Sequence, residues 1–267
     1  MTTPPPPAPS RAEPLNWDPT SYLAFADQRL RPALDLLARV PLAAPARVFD
    51  LGCGAGNVTR ALHRRWPEAA LTGVDQSPEM LERARRELPA AKWQQADLTQ
   101  WHTQEAHLIY SNAALHWLED HETLFPALLA MLAEGGVLAV QMPRMFDAPS
   151  HRAMRETALA GPWRQRLEAL LGPAPVAPPD YYYQLLAPHA ASLDIWECEY
   201  LQALDGPDPV LAWTRGTALR PFLAAIEEPQ RGAFEAEYAA RLAALYPPAA
   251  DGRVLFPFRR LFIVAGA

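Results

Sequence analysis

Three glycines stand close together near residue 50, in the stretch FDLGCGAGNVTRAL. Gly52, Gly54 and Gly56 follow an apolar run and precede a helical pattern, an arrangement typical of loops that hold nucleotides. Their spacing is G-x-G-x-G, whereas the dinucleotide fingerprint G-x-G-x-x-G would place its third glycine at Asn57. The phosphate-loop pattern G-x-x-x-x-G-K-[ST] is absent. The loop therefore predicts a nucleotide ligand but matches neither phosphate-binding motif.

Asp50 adds a negative charge to this loop, because it lies two residues before the first glycine. A pyrophosphate bound beside this carboxylate would be repelled, whereas a cation would be attracted. S-adenosylmethionine carries a sulfonium and an α-ammonium group and has no phosphate. We therefore expect the loop to hold this cationic methyl donor, although a lone aspartate after a strand often serves only to cap a helix.

Further polar residues end the next strands of the predicted fold. Asp75 comes 19 positions after Gly56, where a carboxylate can accept hydrogen bonds from both hydroxyls of a ribose. Asp97, followed by Leu98, ends the third strand and is a candidate contact for an adenine amino group. Asn112 ends the fourth strand. Because the carboxyl ends of parallel strands share one edge of a sheet, these features together predict a nucleotide-type site at that edge.

The elements that must position these residues alternate between strand and helix from residue 46 to Pro143. Each crossover is long enough for a helix, so neighbouring strands are expected to be parallel and the connections right-handed. After Pro143, two more strands each follow a helical insertion, at about residues 144–190 and 205–250. We predict an α/β fold with a doubly wound, mostly parallel, seven-stranded sheet. The insertions and an N-terminal helical segment at 16–40 would cover its carboxyl edge.

The composition narrows the classes of function. A net charge of −6 argues against a broad surface for nucleic acid or an anionic membrane, and no apolar run reaches the length of a membrane helix. The two cysteines and seven histidines show neither a disulfide framework nor metal-ligand spacing, so we expect no metal and a cytoplasmic location. Residues 1–15 are rich in proline and are expected to form a disordered tail before a single domain at 16–267.

Five stretches occur in order within the first 143 residues: VFDLGCGAGNVT, LTGVDQSPEML, WQQADLTQW, LIYSNAALHWL and EGGVLAVQMP. This series resembles the motifs of class I S-adenosylmethionine-dependent methyltransferases. The flanking stretches WDPTSYLAFADQRLRPALDLLARVP, DIWECEYLQAL, GTALRPFL and RLFIVA resemble the trans-aconitate 2-methyltransferase family. The resemblance covers nearly everything after residue 16. It implies methyl transfer from S-adenosylmethionine to a carboxylate of a small polycarboxylic acid such as trans-aconitate, giving a monomethyl ester and S-adenosylhomocysteine.

The resemblance also implies which residues hold the donor. The glycine loop and the polar strand ends would form its cradle, and two aromatic residues near the N-terminus would fold over it. The implied donor residues are Asp50, Gly52, Gly54, Gly56, Asp75, Gln76, Asp97, Leu98, Asn112, Trp17 and Tyr22.

A carboxylate substrate reduces what the catalytic residues must do. Its ordinary pKa is about 4, so it is ionised at neutral pH and needs no general base. We therefore expect no catalytic side chain in that sense, but binding and orientation by arginines, whose geometry matches carboxylates. The candidate substrate residues are Arg260, Arg220, Arg144, Arg29, Tyr182 and His116.

Two adjacent arginines in LFPFRRLFIV require a choice between them. Successive residues of a strand face opposite ways, so only one of the two can point into a pocket. The resemblance of RLFIVA to the family selects Arg260 over Arg259. In the alternative interpretation, both arginines protect an edge strand from aggregation. Packing is likewise an alternative role for Tyr182 and its two tyrosine neighbours.

Two other functions stay open from the sequence. The acceptor could instead be a malonyl thioester or another small acid or alcohol, which the donor motifs do not distinguish. The chain could also be a donor-binding module without turnover, although the intact Asp50, Asp75 and glycines argue against this. Methylation of nucleic acid is not expected, because no N/D-P-P-Y/F motif follows the fourth strand.

Overall fold

A computed structural model of the protein describes residues 26–267, and side chains from residue 30 onward. Seven strands form one sheet in the order β3-β2-β1-β4-β5-β7-β6. The strands are β1 Arg47–Leu51, β2 Ala70–Asp75, β3 Lys92–Gln95, β4 Ala106–Asn112, β5 Leu132–Pro143, β6 Ser192–Leu204 and β7 Val254–Gly266. The described α-helices are α1 Ala26–Arg39, α2 Asn57–Arg65, α3 Pro78–Glu87, α4 His121–Ala130, α5 Pro149–Ala160, α6 Arg164–Leu167, α7 Pro179–Leu186, α8 Pro209–Arg215, α9 Arg220–Ala225 and α10 Glu228–Leu245.

The sheet is mostly parallel, as predicted, because β3, β2, β1, β4 and β5 pair in parallel. β7 is the exception, because it is antiparallel to both β5 and β6. β6 ends at the carboxyl edge of the sheet, and the helices after it pack at that same edge. The chain therefore re-enters the sheet from the edge at which it left, and such a return gives antiparallel pairing.

The helices around the first strands begin at the residues that the sequence signals indicate. α2 starts directly after Gly56, whose φ of +82° turns the chain out of the loop. α3 starts at Pro78, and the Ser77 hydroxyl accepts a hydrogen bond from the Met80 N–H at 3.3 Å. These local signals fix where α2 begins after the glycine loop and where α3 begins after β2.

Helices α5 and α6, which follow β5, share one core with α8, α9 and α10, which follow β6, whereas α7 packs with α4 in a different core. Trp163 of the first insertion packs against Phe234 of the second with 5.2 Å between ring centroids. The Tyr238 hydroxyl donates to the backbone carbonyl of Ser150 at 3.2 Å. This core also contains Phe256 from the start of β7, which extends past the end of β5. These five helices therefore pack together beside the carboxyl edge of the sheet.

The element boundaries differ from the prediction at two places near that edge. β3 ends at Gln95, so Asp97 lies two residues beyond the strand that it was expected to end. α4 ends at Ala130 and β5 begins at Leu132, whereas the sequence pattern extended the helix into this strand. A register shift between Ala106 and Leu108 accompanies this early, irregular start of β5.

Of the predicted N-terminal helical segment, the structure describes α1. The Tyr110 hydroxyl of β4 donates to the Ala33 carbonyl, and Arg65 at the end of α2 donates to the carbonyls of Leu37 and Val40. The C-terminal end of α1 therefore lies near the amino edge of the sheet, and its N-terminal end points toward the carboxyl edge. The remainder of that segment and the proline-rich tail lie outside the described residues.

No helix between residues 26 and 267 combines the length and the apolar character needed to cross a membrane.

Candidate functional site

The glycine loop between β1 and α2 is shaped by close contacts that leave no room for side chains at its first and third glycines. The φ angles of Gly52, Gly54 and Gly56 are +72°, +53° and +82°, which disfavour other residues. A Cβ on Gly52 would lie 2.1 Å from the Cβ of Ala114, and one on Gly56 would lie 2.8 Å from the ring of Trp93. At Gly54 a Cβ would meet nothing within 4 Å. The loop is therefore packed at both ends and open in its middle.

Asp75 holds the open part of this loop in place. One carboxylate oxygen accepts a hydrogen bond from the Gly54 N–H at 2.9 Å, and the other accepts from the Ser77 N–H at 2.9 Å. Each oxygen keeps a second lone pair after these contacts. The half-buried carboxylate can therefore anchor the loop and still accept hydrogen bonds from a ligand.

Asp50 lies beneath the loop instead of on its open side. Its side chain is 1% exposed and accepts a hydrogen bond from the Thr59 hydroxyl of α2 at 2.6 Å. Burial raises the pKa of this carboxyl, the Thr59 hydrogen bond lowers it, and the charge of Asp75 raises it. Together these effects give a pKa of about 7. The expectation that Asp50 faces the ligand is thus corrected: Asp50 supports the loop from the protein interior.

Three other predicted donor residues surround the loop at the surface. The Asp97 side chain is exposed and accepts from the N–H and hydroxyl of Thr99 at 2.9 and 2.8 Å. Leu98 packs 3.9 Å from the position that a Gly52 Cβ would take. Gln76 is exposed, and its carbonyl accepts a hydrogen bond from the Gln95 side chain. We call the glycine loop with Asp50, Asp75 and Asp97 the acidic region.

A second group of polar side chains lies at the same edge on β5 and β7. Arg260 is 4% exposed, and its Nη1 donates to Oε1 of the fully buried Gln141 at 3.2 Å. Its guanidinium stacks over the ring of Phe258 at 4.6 Å. Burial and the positive charge of nearby Arg260 together lower the pKa of His116 to about 3, so this imidazole is neutral at pH 7. We call His116, Gln141 and Arg260 the Arg260 cluster.

Three buried polar atoms at this edge have no hydrogen-bond partner among the described residues. They are Oδ1 of Asn112, Nδ1 of His116 and Nε2 of Gln141. An unpaired buried polar atom costs about 1–3 kcal/mol, so natural proteins rarely keep one without a reason. Asn112 ends β4, His116 follows that strand and Gln141 lies near the end of β5, so these atoms are candidates for contact with a polar ligand at this edge.

Five of these side chains share one face of the sheet. They are Asp75 on β2, Asp50 on β1, Asn112 on β4, Gln141 on β5 and Arg260 on β7. Each lies an even number of residues along its strand from a residue in the core under α1 and α2, and side chains alternate along a strand. The acidic region and the Arg260 cluster are therefore parts of one continuous site, with Asn112 between them.

Comparison with known proteins assigns this chain to a family. A profile of the methyltransferase domain family matches residues 48–136, which carry the acidic region. The trans-aconitate 2-methyltransferase of Azoarcus sp. (strain BH72) is 53% identical over 250 residues, covering 93% of this chain and 98% of that protein. The enzyme of the same name from Yersinia pseudotuberculosis serotype O:1b (strain IP 31758) is 50% identical over 254 residues, covering 94% and 98%. The chain belongs to the trans-aconitate 2-methyltransferase family.

A solved structure with little sequence similarity shows the same fold as this family member. Phosphoethanolamine N-methyltransferase 2 of Haemonchus contortus, solved in complex with S-adenosylhomocysteine, superposes with a TM-score of 0.55 at 15% identity. The superposition covers 92% of this chain and 57% of that one. The predicted Rossmann-like methyltransferase fold is therefore confirmed.

Two arginines of this methyltransferase that were considered with Arg260 lie elsewhere. Arg144 forms an ion pair with Glu197 of β6, and its side chain is 20% exposed. Cys198 is the register partner of Arg260, so the two side chains lie on the same face of the sheet. Glu197 precedes Cys198 on the strand and faces the opposite way. Arg144, which pairs with Glu197, therefore extends to that opposite face. This corrects the prediction that Arg144 binds substrate. Arg259 is exposed and pairs with Glu199 at 3.5 Å, so the two adjacent arginines do face opposite ways.

Tyr182, another candidate for the substrate, belongs to the core of the enzyme. It is fully buried, and its hydroxyl lies 2.7 Å from Nδ1 of His121 and accepts from the Ala177 N–H at 3.3 Å. Its ring packs against Phe125 on the face opposite the site. These contacts favour the packing interpretation of Tyr182, because its hydroxyl already has partners within the protein.

The remaining candidates are less closely placed. Arg220 is the half-buried first residue of α9 in the second insertion. Arg29 lies in α1, but its side chain is outside the described part of the protein, as are Trp17 and Tyr22. Among residues 26–267, no three histidine, cysteine, aspartate or glutamate side chains lie close enough to hold a metal ion.

Gln141 is the site residue that sequence reasoning missed. It stands in the apolar stretch VLAVQMP, where the strand buries both faces. A single polar residue inside such a run was the available signal, since buried polar side chains require partners.

Proposed function

We propose that this chain is an S-adenosylmethionine-dependent O-methyltransferase that methylates a carboxylate of trans-aconitate, giving the monomethyl ester and S-adenosylhomocysteine. The names of the relatives at 53% and 50% identity support this acceptor. The observation that carries the proposal is that an acidic region and a buried arginine, Arg260, lie on one face at one edge of the sheet. A cationic donor and an anionic acceptor each meet opposite charge in that arrangement.

The described residues fit the donor. When bound, S-adenosylmethionine supplies an electrophilic methyl group on a positively charged sulfur. Gly54 offers open backbone above Asp75, whose spare lone pairs suit the hydroxyls of a ribose. Asn112 offers a buried carbonyl oxygen without a partner, and an ammonium group carries the donors that this oxygen lacks. Asp50, beneath the loop, makes no direct contact, and with a pKa of about 7 it carries only part of a negative charge at neutral pH.

The described residues also fit a carboxylate acceptor. An ionised carboxylate is already nucleophilic, so the protein needs to bind and aim it instead of removing a proton. Arg260 provides a buried positive charge, and its attraction for an anion is stronger there than in water. His116, neutral at pH 7, is not required as a base. We therefore assign catalysis to positioning and to the exclusion of water.

The test is a mass spectrum of the products after the protein is incubated with trans-aconitate and S-adenosylmethionine. We expect a tricarboxylate that is heavier by one methyl group, together with S-adenosylhomocysteine. Ester formation from a malonyl thioester or another acid, but not from trans-aconitate, would replace the acceptor and keep the methyltransferase. Donor binding without product from any acid in the panel would favour a non-catalytic module.

We also infer that the substrate of this protein is a small anion. Its location in the cytoplasm stays a prediction from the sequence.

A further inference from the structure

Gln141 has a fixed orientation that leaves one buried hydrogen-bond donor without a partner among the described residues. Arginine only donates hydrogen bonds, so the Gln141 atom that contacts Arg260 Nη1 at 3.2 Å must be the amide oxygen. The amide nitrogen is then the other terminal atom, and it is buried without a partner among the described residues. The side chain is 0% exposed, so water from bulk solvent does not reach this nitrogen freely. Gln141 thus offers a preoriented N–H group.

The surroundings of this N–H group favour an anion as its partner. The three side chains of the Arg260 cluster are a cation, a neutral imidazole and an amide. Asn112, the register neighbour of Gln141 on β4, has an unpaired oxygen of its own but no hydrogen bond to Gln141. A carboxylate has two oxygens, which can accept from the Gln141 amide and from the guanidinium together.

We propose that Gln141 is a specificity residue for the acid: its Nε2 donates a hydrogen bond to a substrate carboxylate, and its Oε1 holds Arg260 against that same group. This inference rests on the proposed function, because it assigns a contact to the polycarboxylate substrate. It predicts that Gln141 acts on the affinity for the acid and leaves the affinity for the donor unchanged.

The variant Gln141→Glu separates this role from a purely structural one. Glutamate keeps an oxygen for Arg260, and the adjacent guanidinium keeps the new carboxyl ionised. The variant therefore preserves or strengthens the contact with Arg260, but it replaces the N–H donor with a repelling negative charge. We expect the KM for trans-aconitate to rise about 100-fold or more, with the Kd for S-adenosylmethionine within about threefold of wild type.

Two further variants control this experiment. Gln184→Glu makes the same substitution on the exposed side of α7, and we expect its KM and Kd to equal those of the wild type. Gln141→Met keeps the volume of the side chain and introduces no charge, so it guards against misfolding of the glutamate variant. We expect Gln141→Met to raise the KM about tenfold. Thermal unfolding of each variant shows that the protein remains folded.

The outcomes distinguish this inference from the proposed function. If the wild type methylates trans-aconitate and Gln141→Glu has an unchanged KM, Gln141 only supports Arg260 and the inference is overturned. If the wild type forms no ester, calorimetric titration of trans-aconitate into the S-adenosylhomocysteine complex decides the point. Binding that Gln141→Glu abolishes keeps the inference without the proposed function, and no binding to the wild type overturns both.

Dicarboxylates that each lack one carboxylate of trans-aconitate locate the contact. The acid that lacks the group bound by Gln141 should show little further loss of affinity in Gln141→Glu, because the repelled charge is already missing. Equal losses for every acid in the series would contradict a direct contact.

Discussion

The acidic region and the Arg260 cluster lie side by side on one face of the sheet, but they are built in opposite ways. The acidic region uses backbone geometry, since Gly52, Gly54 and Asp75 are linked through main-chain contacts within 24 residues of the chain. The Arg260 cluster uses side chains from β5 and β7, and its central pair is 119 residues apart in sequence. Under the proposed function, the first region holds the donor and the second binds the acceptor acid.

The two regions also differ in how their charges are held. In the acidic region, Asp75 and Asp97 already accept hydrogen bonds from backbone N–H groups, so they are stable before a ligand binds. In the Arg260 cluster, Nδ1 of His116 and Nε2 of Gln141 lack partners within the described residues. The ligand therefore contributes more to satisfying the second region. We expect substitutions there to alter acid affinity more than the stability of the free protein.

The largest expected effect comes from Asp75→Ala in the acidic region. This change removes the anchor of Gly54 and the proposed contacts with ribose, each a charge-assisted hydrogen bond of about 1.5–3 kcal/mol. We expect donor affinity to fall at least 100-fold in calorimetry. The matched change Asp194→Ala, at an exposed position of β6, should leave donor affinity unchanged. An unaltered Kd for Asp75→Ala would remove this residue from the donor site.

A slightly smaller effect is expected from Arg260→Ala in the Arg260 cluster. Truncation of one partner in a buried, charge-assisted contact typically costs about 2–5 kcal/mol of binding. The KM for trans-aconitate should rise about 100-fold, whereas the Kd of the donor should stay the same. Arg259→Ala is the control, because Arg259 is the exposed neighbour on the same strand. Equal effects of the two variants on KM would show that Arg260 has a structural role only.

Gly52→Ala tests whether the acidic region depends on backbone geometry. The new Cβ would lie 2.1 Å from the Cβ of Ala114, and the alanine would have to adopt a left-handed φ of +72°. We expect a loss of about 2–4 kcal/mol in the free energy of unfolding, measured by denaturant titration. Gly232→Ala on the exposed side of α10, with nothing within 4 Å, should instead gain up to about 1 kcal/mol. Similar results for the two variants would contradict the close packing at Gly52.

A different kind of effect, a dependence of stability on pH, is expected from Asp50. Burial raises the pKa of this carboxyl to about 7 in the folded state, whereas its ordinary value is about 4. The folded protein therefore binds more protons than the unfolded chain between these values, so the contribution of Asp50 to stability decreases as pH rises from about 4 to 7. Asp50→Asn keeps an oxygen for Thr59 and does not titrate, so it should lack this decrease. Parallel curves of Tm against pH for both proteins would contradict the raised pKa.

The contrast between the regions also explains what could be predicted. The acidic region was predictable because a strand, a glycine loop and a helix cap are specified by neighbouring residues, as at Ser77. Even there, the sequence did not show that Asp50 is buried under the loop, because the partner that holds it, Thr59, faces inward only once α2 packs on the sheet. The position of Asp50 beside the loop was predictable, and the direction of its side chain was not.

The Arg260 cluster was predictable only in part. Strand alternation indicated that just one of the adjacent arginines points into the site, and the structure buries Arg260 and exposes Arg259. Arg144 carried the same chemistry in the sequence, yet its pairing with Glu197 places it on the other face. Gln141 gave no signal beyond its polarity, since its partner lies on a strand that inserts antiparallel beside β5.

By itself, the sequence determined the alternating elements, the glycine loop and the acidic strand ends, because hydrogen bonds between near neighbours and hydrophobic periodicity act over short distances along the chain. The tertiary structure alone decided which arginine and which amide meet at the edge of the sheet. That choice depends on β7 entering between β5 and β6, which brings Arg260 to Gln141 and turns Arg144 away. The physical reason is that side-chain partners across strands are set by sheet order and register, and neither property is a local property of the sequence.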